Sequence, residues 1–151
     1  MDYQQAKVIR QGMVDSLPLM FAFSNEQLEE IVEKARERGT KVCNFGGGMF
    51  CLSEDKEAIL ETLRFLDETK SKDMDDYEFA YSAFLYEMNN HEYAINWQRD
   101  YDVFSVFWDV EYGEDKYAND YLKEVGADED TVRAFYDAKR QHMKEAEQWA
   151  W

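Results

Sequence analysis

The sequence predicts a mainly helical α+β protein with a small antiparallel sheet, and three observations support this class. Most of the chain places apolar residues at intervals of three and four, which is typical of amphipathic helices. Two short apolar runs flank Gly46-Gly47-Gly48, the pattern of a β-hairpin. The 151 residues include one proline, and no Pro- or Gly-rich linker divides them. We therefore expect one domain over residues 1–151, long enough to bury a core without disulfides or metal.

The first 40 residues predict two helices with a short strand between them. Apolar residues recur at helical spacing over residues 2–16, and the apolar run at residues 17–23 suits a buried strand. Ser24 followed by Gln27 matches a capping box, so the second helix begins there. Gly39 is in place to end it. We expect its inward face to carry Leu28, Ile31, Val32 and Ala35.

Residues 41–52 predict a β-hairpin that turns at the three glycines. With Gly47 at its centre, the opposing pairs are Phe45 with Met49, Asn44 with Phe50, and Cys43 with Cys51. The two thiols would then be cross-strand neighbours, about 4.5–5.5 Å apart at Cβ. A strained disulfide is geometrically allowed, but a reducing cytosol opposes it and zinc-type cysteine spacing is absent. We expect two small buried hydrophobic residues, and a tight turn instead of a phosphate-binding loop.

Helical spacing continues through the rest of the chain, at residues 54–70, 75–89, 117–125 and 129–150. We expect the inward face of the first of these helices to carry Ala58, Ile59, Leu63 and Leu66. The helix at 75–89 has aromatic residues nearly all round, so it is central or part of an interface. Residues 100–108 fit a helix or a strand, and the spacing of Val103, Phe104 and Phe107 favours a helix.

The negative charge is concentrated in one stretch of the chain. The formal net charge is -16, and residues 100–130 hold eleven acidic residues against two basic ones. Eight of the ten tyrosines lie between residues 51 and 130. An acidic chain lacks the Lys/Arg surface that nucleic acid and anionic lipid require, so we exclude both as direct partners. Several helices with ordinary acidic solvent faces would also account for this charge.

Two features predict a cytoplasmic protein. The longest run without a charged residue is Val42–Ser53, whereas a membrane-spanning helix needs roughly 20 apolar residues. Residues 1–5 show neither the basic nor the apolar region of a secretory signal.

His91 and Glu92 are candidates for acid–base chemistry. A zinc-protease helix would need a second histidine where Ile95 stands. His142 is the only other histidine, and spatial proximity alone would suffice for an acid–base pair in a small pocket. Residues 89–91 also suit a helix end whose side chains bond the last carbonyls. We expect the helix end, with no enzymatic activity and no cofactor.

The acidic side chains do not form a metal motif. Asp73, Asp75 and Asp76 lack the central glycine and the twelfth-position glutamate of an EF-hand loop. We expect a solvated helix start and no metal.

Three motifs carry a resemblance to a known group of proteins: Leu19–Gln27, the glycine hairpin, and Asn89–Tyr93 after an aromatic helix. Over about residues 15–95 they resemble an uncharacterised family of small acidic proteins of bacterial phages and mobile elements. The resemblance implies no established activity and no catalytic residues. It favours a target in host defence or host regulation.

We expect an acidic protein-binding inhibitor or regulator that imitates nucleic acid. Its partner would be a basic nucleic-acid-binding protein, such as a defence nuclease whose groove it occupies in an anti-CRISPR-like or anti-restriction-like manner. Phosphate-like charge would come from Asp100, Asp102, Asp109, Glu111, Glu114, Asp115, Asp120 and Glu124. Aromatic anchors, which are enriched at binding hot spots, would be Tyr101, Trp108, Tyr112, Tyr117 and Tyr121.

Two alternatives stay open. One is a small binding module or enzyme with a pocket at the glycine hairpin, His91 and Glu92. The other is a non-catalytic partner protein with an ordinary acidic surface. Trp149-Ala150-Trp151 could serve as a homodimer contact or fold back on the core.

Overall fold

The computed structural model describes residues 1–91 and 100–149, without the side chains of His91, Gln148 and Trp149. In these ranges the helices are α1 Tyr3–Asp15, α2 Asn25–Glu37, α3 Lys56–Thr69, α4 Tyr77–His91, α5 Asp100–Phe107, α6 Ala118–Glu124 and α7 Glu129–Trp149. The strands are β1 Met20–Phe21, β2 Val42–Gly46 and β3 Met49–Leu52. The predicted mainly helical α+β class, with a small antiparallel sheet, is confirmed.

The chain divides into two compact units. Unit 1 comprises Met1–Ile9 and Glu68–Trp151, and unit 2 comprises Arg10–Asp67. The single domain expected from the length stays a prediction. Among the helices that the structure describes, none has the length and apolar character needed to cross a membrane.

Unit 2 contains the three-stranded sheet, α2 and most of α3. The sheet has the order β1-β3-β2, and both of its pairings are antiparallel. Its buried apolar residues are Ala22, Ile31, Ala35, Cys51, Leu52, Ile59 and Leu66. This core is small and largely aliphatic.

The predicted ends of α2 are confirmed. The Ser24 Oγ accepts a hydrogen bond from the Gln27 N–H, at 3.2 Å. The Gln27 Oε1 accepts one from the Phe23 N–H, at 2.7 Å, so each side chain satisfies a backbone donor near the helix start. At the other end Gly39 has φ +67°, and the Thr40 N–H donates to the Ala35 carbonyl.

The glycine hairpin forms with a bulge in β2. Cys43 lies opposite Cys51 and Asn44 opposite Phe50, as predicted. The predicted pair of Phe45 with Met49 is wrong, because the register shifts after Asn44 and Gly46 faces Met49. Gly47 and Gly48 both have positive φ, at 62° and 82°, which matches a two-residue type I′ turn. The bulge takes Phe45 out of register.

Some inward positions predicted for unit 2 are wrong. Ala58 is exposed, and Val32 and Leu63 are 39% and 38% exposed. Ile59 and Leu66 are buried as expected. Helical spacing identifies an apolar face, but part of that face stays exposed in the folded chain. The buried strand expected at residues 17–23 is wrong in length and in burial, because only Met20 and Phe21 pair with β3 and Phe21 is 57% exposed.

Unit 1 is a helical assembly around an aromatic core. The aromatic helix α4 is central, and α5 is a helix, as the spacing favoured. Phe104 of α5 contacts four aromatic rings among the described residues: Phe84, Trp108, Tyr121 and Phe135.

Helices α4 and α7 run side by side in the same direction. At one end the Thr131 Oγ1 donates to the Met74 carbonyl, at 2.7 Å. At the other end Asn89 bonds both His142 and Glu145. The N-termini of both helices therefore lie at the same end of unit 1.

Candidate acidic interaction surface

Carboxylates surround the adjacent N-termini of α4 and α7. We call this group the acidic end; its exposed members are Asp73, Asp75, Asp76, Glu78, Asp128, Glu129 and Asp130. Each helix N-terminus carries partial positive charge and unpaired N–H groups, and two such ends lie together here. The acidic end therefore has a structural explanation in helix stabilisation.

Two of these carboxylates cap their helices directly. The Asp76 Oδ2 accepts a hydrogen bond from the Phe79 N–H, at 2.9 Å. The Asp128 Oδ1 accepts from both the N–H and the hydroxyl of Thr131, each at 2.9 Å. These bonds lower the pKa of the Asp128 carboxyl, because they favour its charged form. No group of metal-ligating side chains occurs among the described residues.

A second acidic element is the loop from Asp109 to Tyr117, which joins α5 to α6. We call it the acidic loop. Lys70 Nζ lies 2.7 Å from Asp109 Oδ1 and fixes the start of the loop. Lys116 Nζ lies 2.5 Å from Glu124 Oε2, which raises the pKa of the Lys116 ammonium. Lys116 also lies 4.8 Å from the centre of the Tyr121 ring.

The acidic loop presents acids and tyrosines to solvent. Glu111, Glu114 and Asp115 are exposed, and none of their carboxylates forms an ion pair with the residues that the structure describes. Tyr112 is 62% exposed and Tyr117 is 64% exposed. These five predicted residues are therefore exposed in the acidic loop, and none of them takes part in an ion pair with the described residues.

Two predicted surface residues lie in the core instead. Asp100 is only 4% exposed and binds Lys139 Nζ, at 3.1 Å. Burial raises the pKa of the Asp100 carboxyl, against the lowering effects of Lys139 and of the Ala118 N–H. Tyr121 is 1% exposed and stacks on Phe104. Neither side chain can contact a partner on the surface.

The remaining predicted residues are partly used inside unit 1. Tyr101, Asp102 and Trp108 are half-buried. Asp109 and Glu124 form the ion pairs described above. Asp120 is exposed, and its Oδ2 accepts a hydrogen bond from the Tyr117 N–H, at 2.8 Å. Charge density along the chain therefore overstates the charge available for binding.

Of the histidine candidates, the structure describes the side chain of His142 alone. His142 is buried, and its Nδ1 lies 2.6 Å from Asn89 Oδ1. The Asn90 Nδ2 donates to the Tyr86 carbonyl, which confirms the helix-end prediction for that residue. The Asn89 side chain instead bonds two residues of α7, since its Nδ2 donates to Glu145 Oε2 and its Oδ1 pairs with His142 Nδ1. Glu92 and the side chain of His91 lie outside the described residues, as do the side chain of Trp149 and residues 150–151.

Unit 1 contains a buried carboxylate that the sequence did not predict. Glu87 is 2% exposed, and its Oε1 accepts from the Tyr3 hydroxyl, at 2.5 Å, and from Lys7 Nζ, at 2.8 Å. Lys7 also lies 4.7 Å from the centre of the Tyr86 ring. The only available signal was Glu87 within an aromatic helix, where a charged residue requires a partner. The contacts attach the start of α1 to α4.

The family comparison covers the N-terminal two thirds of the chain. A model described as a family of unknown function (DUF7659) matches residues 2–103. The chain belongs to this family. The family match includes all of unit 2 and α4, and it ends before the acidic loop. Searches of curated proteins and of solved structures gave no match.

Proposed function

We propose that the chain is an acidic protein-binding regulator that occupies the basic groove of a nucleic-acid-binding protein. The observation that carries this proposal is the exposure of acids and tyrosines in the acidic loop. Tyr112 and Tyr117 are more than half exposed there, and they stand among three carboxylates without ion pairs among the described residues. Exposed tyrosines offer large, rigid contact areas, and exposed acids attract a basic partner.

We propose that the acidic end of unit 1 adds to the negative charge that the loop presents. Asp109 opens the loop and bonds Lys70, which lies four residues before Met74 in the segment leading to α4. The acidic end surrounds that same helix start. A duplex carries one negative charge per about 1.7 Å of its axis, so a mimic needs several rows of carboxylates and not one. We propose that the loop and the acidic end supply such rows together.

The partner that best fits this surface is a protein with a Lys/Arg-lined groove. We propose a defence nuclease of a bacterial host, with the chain acting in the cytoplasm and derived from a phage or mobile element. The role is inhibitory and needs no catalytic residue or cofactor. Long-range attraction would speed association and make binding weaken as salt is added.

The test compares two triple variants of equal charge change. Glu111→Gln, Glu114→Gln and Asp115→Asn neutralise the loop, while Glu29→Gln, Glu30→Gln and Glu57→Gln neutralise three exposed acids of unit 2. Each chain is immobilised and incubated with bacterial lysate at low and high salt, and bound proteins are eluted with random-sequence duplex DNA. We expect the unmodified chain and the unit 2 variant to retain nucleic-acid-binding proteins that DNA releases at low salt. The loop variant should lose them.

Two results would contradict the proposal. Equal losses in both triple variants would mean that net charge alone attracts the captured proteins, as an ordinary acidic surface does. Retention of no DNA-released protein by the unmodified chain at low salt would remove the basis for mimicry. Tyr112→Ala separates the two contributions, because it removes an anchor without changing the charge.

A further inference from the structure

The glycine hairpin of unit 2 brings two thiols face to face. Cys43 lies on the edge strand β2, and Cys51 lies directly opposite on the central strand β3. Directly opposed residues of antiparallel strands have Cα atoms about 4.5–5.5 Å apart. Disulfides span Cα separations of about 4.4–6.8 Å, so this pair can be bridged without moving the strands far. Both residues are thiols in the structure.

The two thiols differ in accessibility. Cys51 is fully buried, whereas Cys43 is half-buried on the outer strand. Burial raises the pKa of the Cys51 thiol; Cys43 and Asp55 raise it further, and Lys56 opposes them. Cys43 is therefore the thiol that a dissolved oxidant reaches first. Cys51 lies directly opposite on β3, where it can act as the second reactant.

We propose that Cys43 and Cys51 form a reversible dithiol–disulfide pair that reacts with small-molecule disulfides of the glutathione class. The Cys43 thiolate attacks one sulfur of the oxidant, forming a mixed disulfide and releasing one thiolate. Cys51 then loses its proton to solvent, and its sulfur attacks the Cys43 sulfur of the mixed disulfide. The second small thiolate leaves. One external disulfide is thus reduced to two thiols, and the protein dithiol is oxidised to one disulfide.

The bond would clamp the hairpin at its base. It closes the segment from Cys43 to Cys51, which contains the bulge and the type I′ turn at Gly47 and Gly48. A cross-link between directly opposed strands departs from relaxed disulfide geometry, and strained disulfides are the more easily reduced ones. The pair therefore suits reversible modification. It lies within the residues matched by the family model, unlike the acidic loop.

The test exposes the folded chain to oxidised glutathione and follows its intact mass. The expected product has lost the mass of two hydrogens, carries no glutathione, and returns to the starting mass with dithiothreitol. Peptide mapping should identify a disulfide bond between Cys43 and Cys51. A chain that keeps glutathione attached, forms only intermolecular dimers, or shows no change of mass would overturn the proposal.

Two single variants test the order of attack. Cys51→Ala leaves the accessible thiol and should accumulate one stable glutathione adduct at Cys43. Cys43→Ser leaves the buried thiol and should react at least about tenfold more slowly, because a buried thiol is reached only through local opening. Equal rates would overturn the assigned order. Circular dichroism on both variants confirms that each is folded, and Cys51→Ser replaces Cys51→Ala if that chain is unfolded.

Discussion

Units 1 and 2 use aromatic residues in opposite ways. In unit 1, Phe84, Phe104 and Phe135 are fully buried in contact with one another. In unit 2, Phe21 and Phe23 are 57% and 76% exposed. Packed helices enclose positions that no solvent reaches, whereas a sheet of three short strands covers little area. The burial of each aromatic ring, and not the number of such residues in the unit, therefore decides how much the ring contributes to stability.

The charge follows the same division. Unit 1 contains twenty-two acidic and ten basic residues, and unit 2 contains eleven and seven. Unit 1 places part of this excess at the N-termini of parallel helices, where it is stabilised. The unit with the deeper core thus also carries the stronger surface field.

The strongest contrast is expected from removing one ring in each unit. Phe104→Ala removes a fully buried ring from the core of unit 1 and should lower the free energy of unfolding by about 3–5 kcal/mol. Phe23→Ala removes an exposed ring from unit 2 and should change it by no more than about 0.5 kcal/mol. Urea denaturation followed by circular dichroism measures both. Similar losses in the two variants would show that the units do not differ in this way.

A smaller effect is expected from the buried carboxylate. Glu87→Gln weakens the charge-assisted bonds from Tyr3 and Lys7 and should lower the free energy of unfolding by about 1–3 kcal/mol. Glu61→Gln, at an exposed position of unit 2, is the matched control and should change it by no more than about 0.5 kcal/mol. The same urea titration applies. A neutral result for Glu87→Gln would mean that this contact contributes nothing to unit 1.

The smallest effect, and the one with a pH signature, concerns the helix caps. Asp128 has a folded-state pKa below 3.8, so its stabilisation is present above that pH and is lost as the pH falls through the lowered pKa. Asp128→Ala should therefore lower the urea midpoint at neutral pH. The difference in urea midpoint between this variant and the unmodified chain should become smaller below pH 3.8.

Ser24→Ala supplies the control for this pH dependence, because serine caps α2 without titrating. Its effect on the urea midpoint should be constant across the same range. If Asp128→Ala lowers the urea midpoint by the same amount at every pH, as Ser24→Ala should, the assigned role of the carboxylate charge is contradicted.

Local patterns in the sequence sufficed for the helices, the caps at Ser24 and Gly39, and the pairing of Cys43 with Cys51. Helix periodicity, capping and glycine turns depend on residues a few positions apart, so they can be read along the chain. The exception was Phe45, because a bulge adds one residue that no local pattern marked.

Tertiary packing alone decided which acids and tyrosines reach solvent. Asp100 and Tyr121 resemble Asp115 and Tyr112 in a chain of alternating acids and aromatics, yet the first two are buried and the last two exposed. Burial of a carboxylate requires partners that are distant in sequence, here Lys139 and the Ala118 N–H. The sequence located the negative charge, but contacts between distant residues selected the part of it that faces a partner.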